Sequence, residues 1–243
     1  MDAWRYRELF EVEERHWWFR SRRAVVRSLL ARAGVPPSPR ILDAGCGTGT
    51  NLVEYSRLGE VSGVDAFPEA IQLCRERGLD NVLEAPVEQL PFEPGSFDLI
   101  FATDVIEHLE DDVLALRELR RVAATGARLV LTVPAYPWLW SDHDVSVHHK
   151  RRYTAEQLRD SVRAAGWTPA VETYFFATAL PVVAAVRTLR RLRAGRNGGS
   201  DLRMPPAPVN RLLELPTLAE AKAIERGARL PAGVSVGMAC VAG

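Results

Sequence analysis

The segment DAGCGTGTN, residues 43–51, constrains this chain more than any other stretch. It follows the strand-like run RIL and precedes a helix-like run. Its glycines at 45, 47 and 49 let the backbone turn tightly and approach a ligand with no Cβ in the way. The spacing G-x-G-x-G differs from the dinucleotide fingerprint, whose third glycine would fall at Thr50, and no Lys-Ser/Thr follows as a P-loop requires. Beyond the loop, strand-like and helix-like segments alternate through NLVEYSRL, EVSGVD, PEAIQLCRERG, NVLEA, FDLIFAT, DDVLALRELRRVA and GARLVLTVP. That alternation predicts βαβ units and a parallel sheet with helices on both faces. Asp65 ends the strand after the loop, where doubly wound folds place a carboxylate on a ribose diol.

Outside this core the rhythm changes. Residues 3–32 read as helical, punctuated by GVPPSP at 34–39, and Pro68 suits a helix's first turn. After Pro134, the stretch AYPWLWSDHDVSVHHKRRY has no clear period and reads as a long ordered loop. Thr154 with Gln157 makes a capping box for a helix to about Ala165, and residues 174–193 read as an apolar helix with a basic end. A loop at 194–201, a helix from PPAP at 205–208 to about Gly227, and a strand in GVSVGMACVA complete the chain, with no internal repeat.

Lys plus Arg equals Asp plus Glu at 31 each, so no global field recommends nucleic acid. The neutrality is uneven: residues 1–40 carry +4, residues 41–112 carry −13 and residues 113–243 carry +9. Three cysteines, with no CxxC or Cys/His ligand spacing, fit a reduced cytoplasmic setting. The first residues lack the apolar run of a signal peptide, and the longest uncharged stretch, Thr173 to Val186, is shorter than the roughly 18–20 residues of a membrane span. The expectation is a soluble protein with peripheral membrane contact.

The glycine loop, Asp65, EQLPFEPGSFDLIFATDVIEHL at 88–109 and GARLVLTVP together resemble the class I S-adenosylmethionine-dependent methyltransferases over residues 40–135. HWWFRSRR at 16–23, LWSDHDVSVHHKRRYT at 139–154 and LPAGVSVG at 230–237 resemble a bacterial, small-molecule subgroup of that family. The resemblance implies a Rossmann-like, doubly wound, seven-stranded α/β sheet with N-terminal helices and a C-terminal helical cap insertion. Residues 1–39 would form a helical lid, and residues 40–243 the methyltransferase domain, with substrate-cap elements in 134–230. S-adenosylmethionine would be the cofactor and S-adenosylhomocysteine the product.

Position by position, the resemblance puts Asp43, Gly45, Gly47 and Gly49 around the methionine moiety, with Cys46 and Asn51 of the same loop among the cofactor-binding residues. Asp65 would take the ribose, and Ala66 and Phe67 would lie beside the adenine. Family members often carry an acidic residue for the adenine amino group where this chain has Pro86, followed by Val87 and Glu88. Thr103 and Asp104 would face the sulfonium. Cys46 needs no thiol chemistry, because a small residue in a tight loop is sufficient reason for it.

A methyl on a sulfonium already has an excellent leaving group, so alignment supplies much of the acceleration, about 7–11 kcal/mol in favourable intramolecular cases. A hydroxyl acceptor must also lose a proton, and a placed base contributes roughly 10²–10⁴. The segment after GARLVLTVP is where such a base is expected: His143, flanked by Asp142 and Asp144, ranks ahead of His148. Alternatively these groups serve only solvation, or His148 and His149 bind an anion with Lys150, Arg151 and Arg152; no metal ligand set is expected. His108 either borders the pocket or caps a helix. Trp17, Trp18, Phe19 and the neighbouring arginines suit a lid, and Arg187, Arg190, Arg191, Arg193 and Arg196 suit an anionic or lipid-like acceptor. O-methylation of a small or lipid-like acceptor is the leading expectation, N- or C-methylation next. The rivals are a non-catalytic S-adenosylmethionine-binding partner or sensor and a methyltransferase of protein or RNA. The sequence carries no sign of oligomeric state.

Overall fold

The computed structural model describes residues 3–192 and 204–243. Two helices, α1 (Ala3–Val12) and α2 (Trp17–Ala33), precede the sheet. The alternating core runs β1 (Arg40–Ala44), α3 (Thr50–Tyr55), β2 (Glu60–Asp65), α4 (Pro68–Glu76), β3 (Val82–Glu84), β4 (Phe97–Thr103), α5 (Asp112–Val122) and β5 (Ala123–Pro134). Then follow α6 (Asp142–Ser146), α7 (Ala155–Ala164), β6 (Trp167–Phe175), α8 (Leu180–Leu192), α9 (Ala207–Glu225) and β7 (Ser235–Ala242).

The seven strands lie in the order β3-β2-β1-β4-β5-β7-β6. The first five are parallel, and β7 inserts antiparallel between β5 and β6. Helices cover both faces, as the alternation predicts. On one face α5 and α7 pack over Leu116, Leu119, Leu158, Val162 and Trp167; on the other α2 and α9 pack over Ile41, Leu99, Phe101, Phe175 and Ile224. The strand order reverses between β1 and β4, and the crevice outside the carboxyl ends of such strands is where open α/β sheets bind ligands.

The structure refines the sequence reading at three places. The helical stretch over 3–32 is two helices, separated at Glu13–His16, where His16 Nδ1 accepts the Trp18 N–H at 3.2 Å as an N-cap. Neither Gly nor Pro marks the break. It is made by tertiary partners: Thr48, Thr50 and Arg77 bind the Glu13 carboxylate, and the Arg23 guanidinium takes the Glu13 and Glu14 carbonyls. The loop after Pro134 contains a short turn, Pro137–Leu139, and α6, whose capping box joins Ser141 and Asp144. The helix expected from residue 174 starts at Leu180, because Tyr174 and Phe175 end β6 against Val236 and Ser235. The loop at 194–201, with Arg193 and Arg196, lies outside the described residues.

The chain termini of the sheet are tied to its helical flanks. α9 packs along α2, with Arg20 bonded to Glu214 at 2.6 Å and Ser21 to Thr217. Glu220 accepts the Ala177 and Thr178 N–H groups at 3.0 and 2.8 Å, fixing the turn that launches α8. Among the described residues no helix is long and apolar enough to cross a membrane.

Candidate functional site

A cavity of about 820 Å³ opens at the carboxyl ends of β1, β2 and β4, within the size range of small-molecule sites. Its floor is the turn from β1 into α3. Gly45 and Gly47 have φ of +75° and +55°, a region L side chains avoid. At Gly45 a Cβ would meet Val105 at 2.4 Å, whereas at Gly47 it would project into open space, where a ligand can approach the backbone. Asp65 braces the turn: its Oδ2 accepts the Gly47 N–H at 2.9 Å and its Oδ1 accepts the Phe67 N–H at 3.1 Å. Burial raises the Asp65 carboxyl, and those two N–H groups work against the rise.

Gly45, Cys46, Gly47, Asn51, Asp65, Ala66, Phe67, Pro86, Val87, Thr103 and Asp104 all line this cavity. Asn51 Nδ2 donates to Thr103 Oγ1 at 3.3 Å, joining α3 to the end of β4. Two assigned positions stand behind the wall instead. Asp43 is fully buried with neither carboxylate oxygen hydrogen-bonded, and its carboxyl is pushed up to about 7, chiefly by burial. Gly49 caps α3, and a Cβ there would press Leu79 at 2.6 Å and Cys74 Sγ at 2.9 Å, so its smallness serves packing. Cys46 lies 3.9 Å from Cys74 Sγ; that contact and burial push its thiol up, away from the reactive thiolate.

Asp104 is not free to meet a ligand's cation alone. Its carboxylate is bonded by Arg22 of α2 and by Thr132 Oγ1 at 2.8 Å. Burial would raise this carboxyl, but the Arg22 charge and the Thr132 hydroxyl overcome it and hold it low. The N-terminal helices also reach the glycine turn: Glu13 takes the Thr48 and Thr50 hydroxyls, and Tyr6 donates to Asp65 Oδ1 at 3.5 Å. Tyr6 and Glu13 escaped the sequence reading, since nothing near them in the chain announces a ligand. Their contacts are to residues far away in sequence.

The opposite end of the cavity is a histidine-rich wall. His108, His143, His148 and His149 line it, together with Arg152, Arg187 and Arg190, and α8 adds Val182, Val183 and Val186. Of the two carboxylates that flank His143 in the chain, Asp144 is held by other groups. Asp144, fully buried, accepts Ser141 N–H at 2.8 Å, His149 Nδ1 at 2.9 Å and Arg152 Nε at 2.7 Å, so its carboxylate faces His149. Burial works to raise this carboxyl; His149 and Arg152 prevail and hold it well below the usual range. The reason is helical geometry: Asp144 sits at the N3 position of α6, where its side chain turns back to the cap.

The basic run beyond it is also committed. Lys150 pairs with Glu110, Arg151 with Asp112 and Arg152 with Asp144, which corrects the alternative of one anion site built from all three. His148 is exposed at the cavity rim with φ of +60°. His108 has its imidazolium disfavoured, its pKa lowered to about 4 by burial first and by His149 second. Glu107, absent from the sequence reading, is fully buried with both carboxylate oxygens unbonded, and burial and Asp104 push its carboxyl well up.

Comparison with known proteins gives a consistent answer. Residues 42–131 match the family described as "Methyltransferase domain". An uncharacterised 37.1 kDa protein of a Streptomyces fradiae transposon is 34% identical over 138 residues, covering 52% of this chain and 40% of that protein. A ubiquinone biosynthesis O-methyltransferase of Xanthomonas oryzae is 33% identical over 100 residues, covering 38% of this chain and 42% of that enzyme. The matches thus span less than half the length of these relatives. In fold, the chain is similar to a methyltransferase solved in complex with the Haloferax volcanii Trm112 activator, with TM-score 0.63, 20% identity, and coverage of 99% of this chain and 93% of that one. By its family match over residues 42–131 and its sheet order, the core of this chain is similar to the class I S-adenosylmethionine-dependent methyltransferases.

Proposed function

We propose that the protein transfers a methyl group from S-adenosylmethionine to a small or lipid-like acceptor, with oxygen as the favoured atom. The observation that carries this reading is one continuous cavity joining the glycine turn and Asp65 at one end to the histidine wall at the other. The residues at the first end suit the cofactor. Asp65 offers remaining lone pairs to a diol, Gly47 leaves space for close approach, and the carboxyl groups of Asp65 and Asp104 at the wall suit a ligand bearing sulfonium and ammonium charges. The bound cofactor would supply an electrophilic methyl. The chain's own part is to align the acceptor, exclude water and receive a proton.

Alignment falls to the walls. Val182, Val183 and Val186 offer an apolar surface suited to an acceptor with an apolar body, and Arg190 on the same helix adds positive charge; Arg187 is bonded to the Leu139 carbonyl and lies 3.6 Å from Asp144. The helices α1 and α2 act as the lid over the cofactor end, with Trp17 and Trp18 as apolar cover. His143 serves as the base for the acceptor hydroxyl, and His148 stands at the rim. Asp144 acts at one remove, by fixing His149 and Arg152.

The test is label transfer. Protein incubated with methyl-labelled S-adenosylmethionine and a panel of hydroxylated and aminated acceptors should label a hydroxylated one. His143→Ala should lower that turnover by roughly 10²–10⁴ while leaving cofactor affinity within about threefold. Turnover equal to the parent's across pH rejects His143 as base. Cofactor binding with no labelled product from any acceptor class would favour the sensor reading instead.

A further inference from the structure

Glu107, His108 and His149 all border the cavity, and one possible ligand atom from each lies within 4.8 Å of the others. We propose that they form a site for one divalent transition-metal ion at the acceptor end of the cavity. The placement is built into the fold. Glu107 and His108 sit on the single turn after β4, and His149 follows α6; the Lys150 N–H donates to the Glu107 carbonyl at 2.7 Å and ties the two segments side by side. Glu107 Oε1 lies 3.9 Å from His149 Nε2, and the rings of His108 and His149 stand 4.8 Å apart at 71°.

The independent sign of a ligand is Glu107. Burial keeps the ligand-free Glu107 carboxyl protonated, yet with no exposed surface and no hydrogen bond to either oxygen it remains unsatisfied, and a cation that displaces the proton would complete it. Arg22 cannot do so directly, because it is bonded to Asp104. Asp104 itself is taken by Arg22 and Thr132, which leaves it outside the donor set.

Both histidines are held by a second group. His149 gives Nδ1 to Asp144, which leaves Nε2 turned towards Glu107; the backbone of His148 hydrogen-bonds the His108 ring. A histidine anchored through one nitrogen to a carboxylate or carbonyl, with the other nitrogen presented, is the arrangement that orients metal ligands. Two imidazole nitrogens and one carboxylate oxygen suit zinc and its first-row neighbours, whereas magnesium and calcium favour oxygen alone. Four-coordinate donors at 2.0–2.1 Å lie about 3.4 Å apart, so small side-chain rotations close the set. Three protein ligands leave a position open to the cavity, and there an acceptor oxygen would bind. That last role rests on the methyl-transfer reading; the cation site does not.

Cobalt(II), added to protein stripped with a chelator, is the probe. The parent should take up one equivalent with the visible d–d absorption of nitrogen and oxygen ligation. Glu107→Gln, which keeps the side chain's shape, and His149→Asn should each weaken uptake at least about tenfold, and Asp144→Asn by roughly 10–100-fold through loss of the held His149 ring. Glu107→Gln should bind S-adenosylhomocysteine within about threefold of the parent, which also reports a folded cofactor end. Absence of d–d bands in the parent overturns the site, as does unchanged uptake by folded Glu107→Gln and His149→Asn proteins. Failure of the cobalt experiment with cofactor binding intact leaves the methyl-transfer reading standing.

Discussion

Replacing Asp65 by alanine should cost the protein most of its cofactor affinity. The carboxylate is 7% exposed and already accepts the Gly47 N–H at 2.9 Å and the Phe67 N–H at 3.1 Å, with the Tyr6 hydroxyl at a weak 3.5 Å. An ionised carboxylate has roughly four lone-pair sites, so about two remain for the hydroxyls of a ribose. Each hydrogen bond to a charged acceptor is worth about 1.5–3 kcal/mol, and losing two amounts to about 3–6 kcal/mol. That corresponds to an increase in Kd on the order of 10²–10⁴. Asp65→Asn keeps a single carbonyl acceptor, so it should fall between alanine and the parent.

Calorimetric titration with S-adenosylhomocysteine measures this directly. Because the Gly47 and Phe67 amides also lose their partner, thermal melts of the ligand-free variants must accompany it. A folded Asp65→Ala protein that binds within about threefold of the parent refutes the ribose assignment. A loss of two orders or more, with the melt showing a folded protein, supports it.

The other outcomes concern the groups behind the cavity. Glu13→Ala removes the acceptor shared by Thr48, Thr50 and Arg77, leaving an arginine that is 10% exposed with one carboxylate fewer; a loss of about 1–3 kcal/mol should lower the melting temperature by several degrees. Unchanged melting and unchanged cofactor affinity would show that the α1–α2 junction does not brace the glycine turn. For Asp43 the folded value of about 7 lies above the ordinary 3.8, chiefly through burial. A raised carboxyl stabilises the fold fully below its unfolded value and loses that contribution as pH rises through the folded one. Ligand-free Asp43→Asn should therefore gain on the parent between about pH 4 and pH 7, by on the order of 4 kcal/mol at most, in denaturant titrations across that window. A difference that does not vary with pH contradicts the assignment.

The parallel core could be read from the chain because its signals are local. Each strand is a short apolar run, Pro68 falls at a helix start, and the positive-φ glycines declare the turn. What escaped reading depends on partners distant in sequence. Nothing around Glu13 breaks a helix, yet Thr48, Thr50 and Arg77 do. Asp144 stands next to His143 in the chain but faces His149, since position N3 of a helix turns a carboxylate towards its cap. Glu107 looks like one more acidic residue in an acidic segment until the fold buries it.

The uneven charge along the chain also acquires a physical sense. The excess of acid in residues 41–112 is met by arginines from both flanks: Arg7 reaches Glu76, Arg22 reaches Asp104, Arg27 reaches Glu54 and Arg151 reaches Asp112. The exposed pairs among these contribute little to stability. Arg22 and Asp104 differ, because both are largely buried beside the cavity, and there the pair sets the field that a cationic ligand would meet.

A crystal structure with S-adenosylhomocysteine tests the central claim most directly. The account predicts the ribose hydroxyls on Asp65, the adenine beside Phe67 and Val87, and the sulfur at the Thr103 end, open towards His143 and His149. A ligand bound with its sulfur turned away from that wall, or seated outside this cavity, would contradict it.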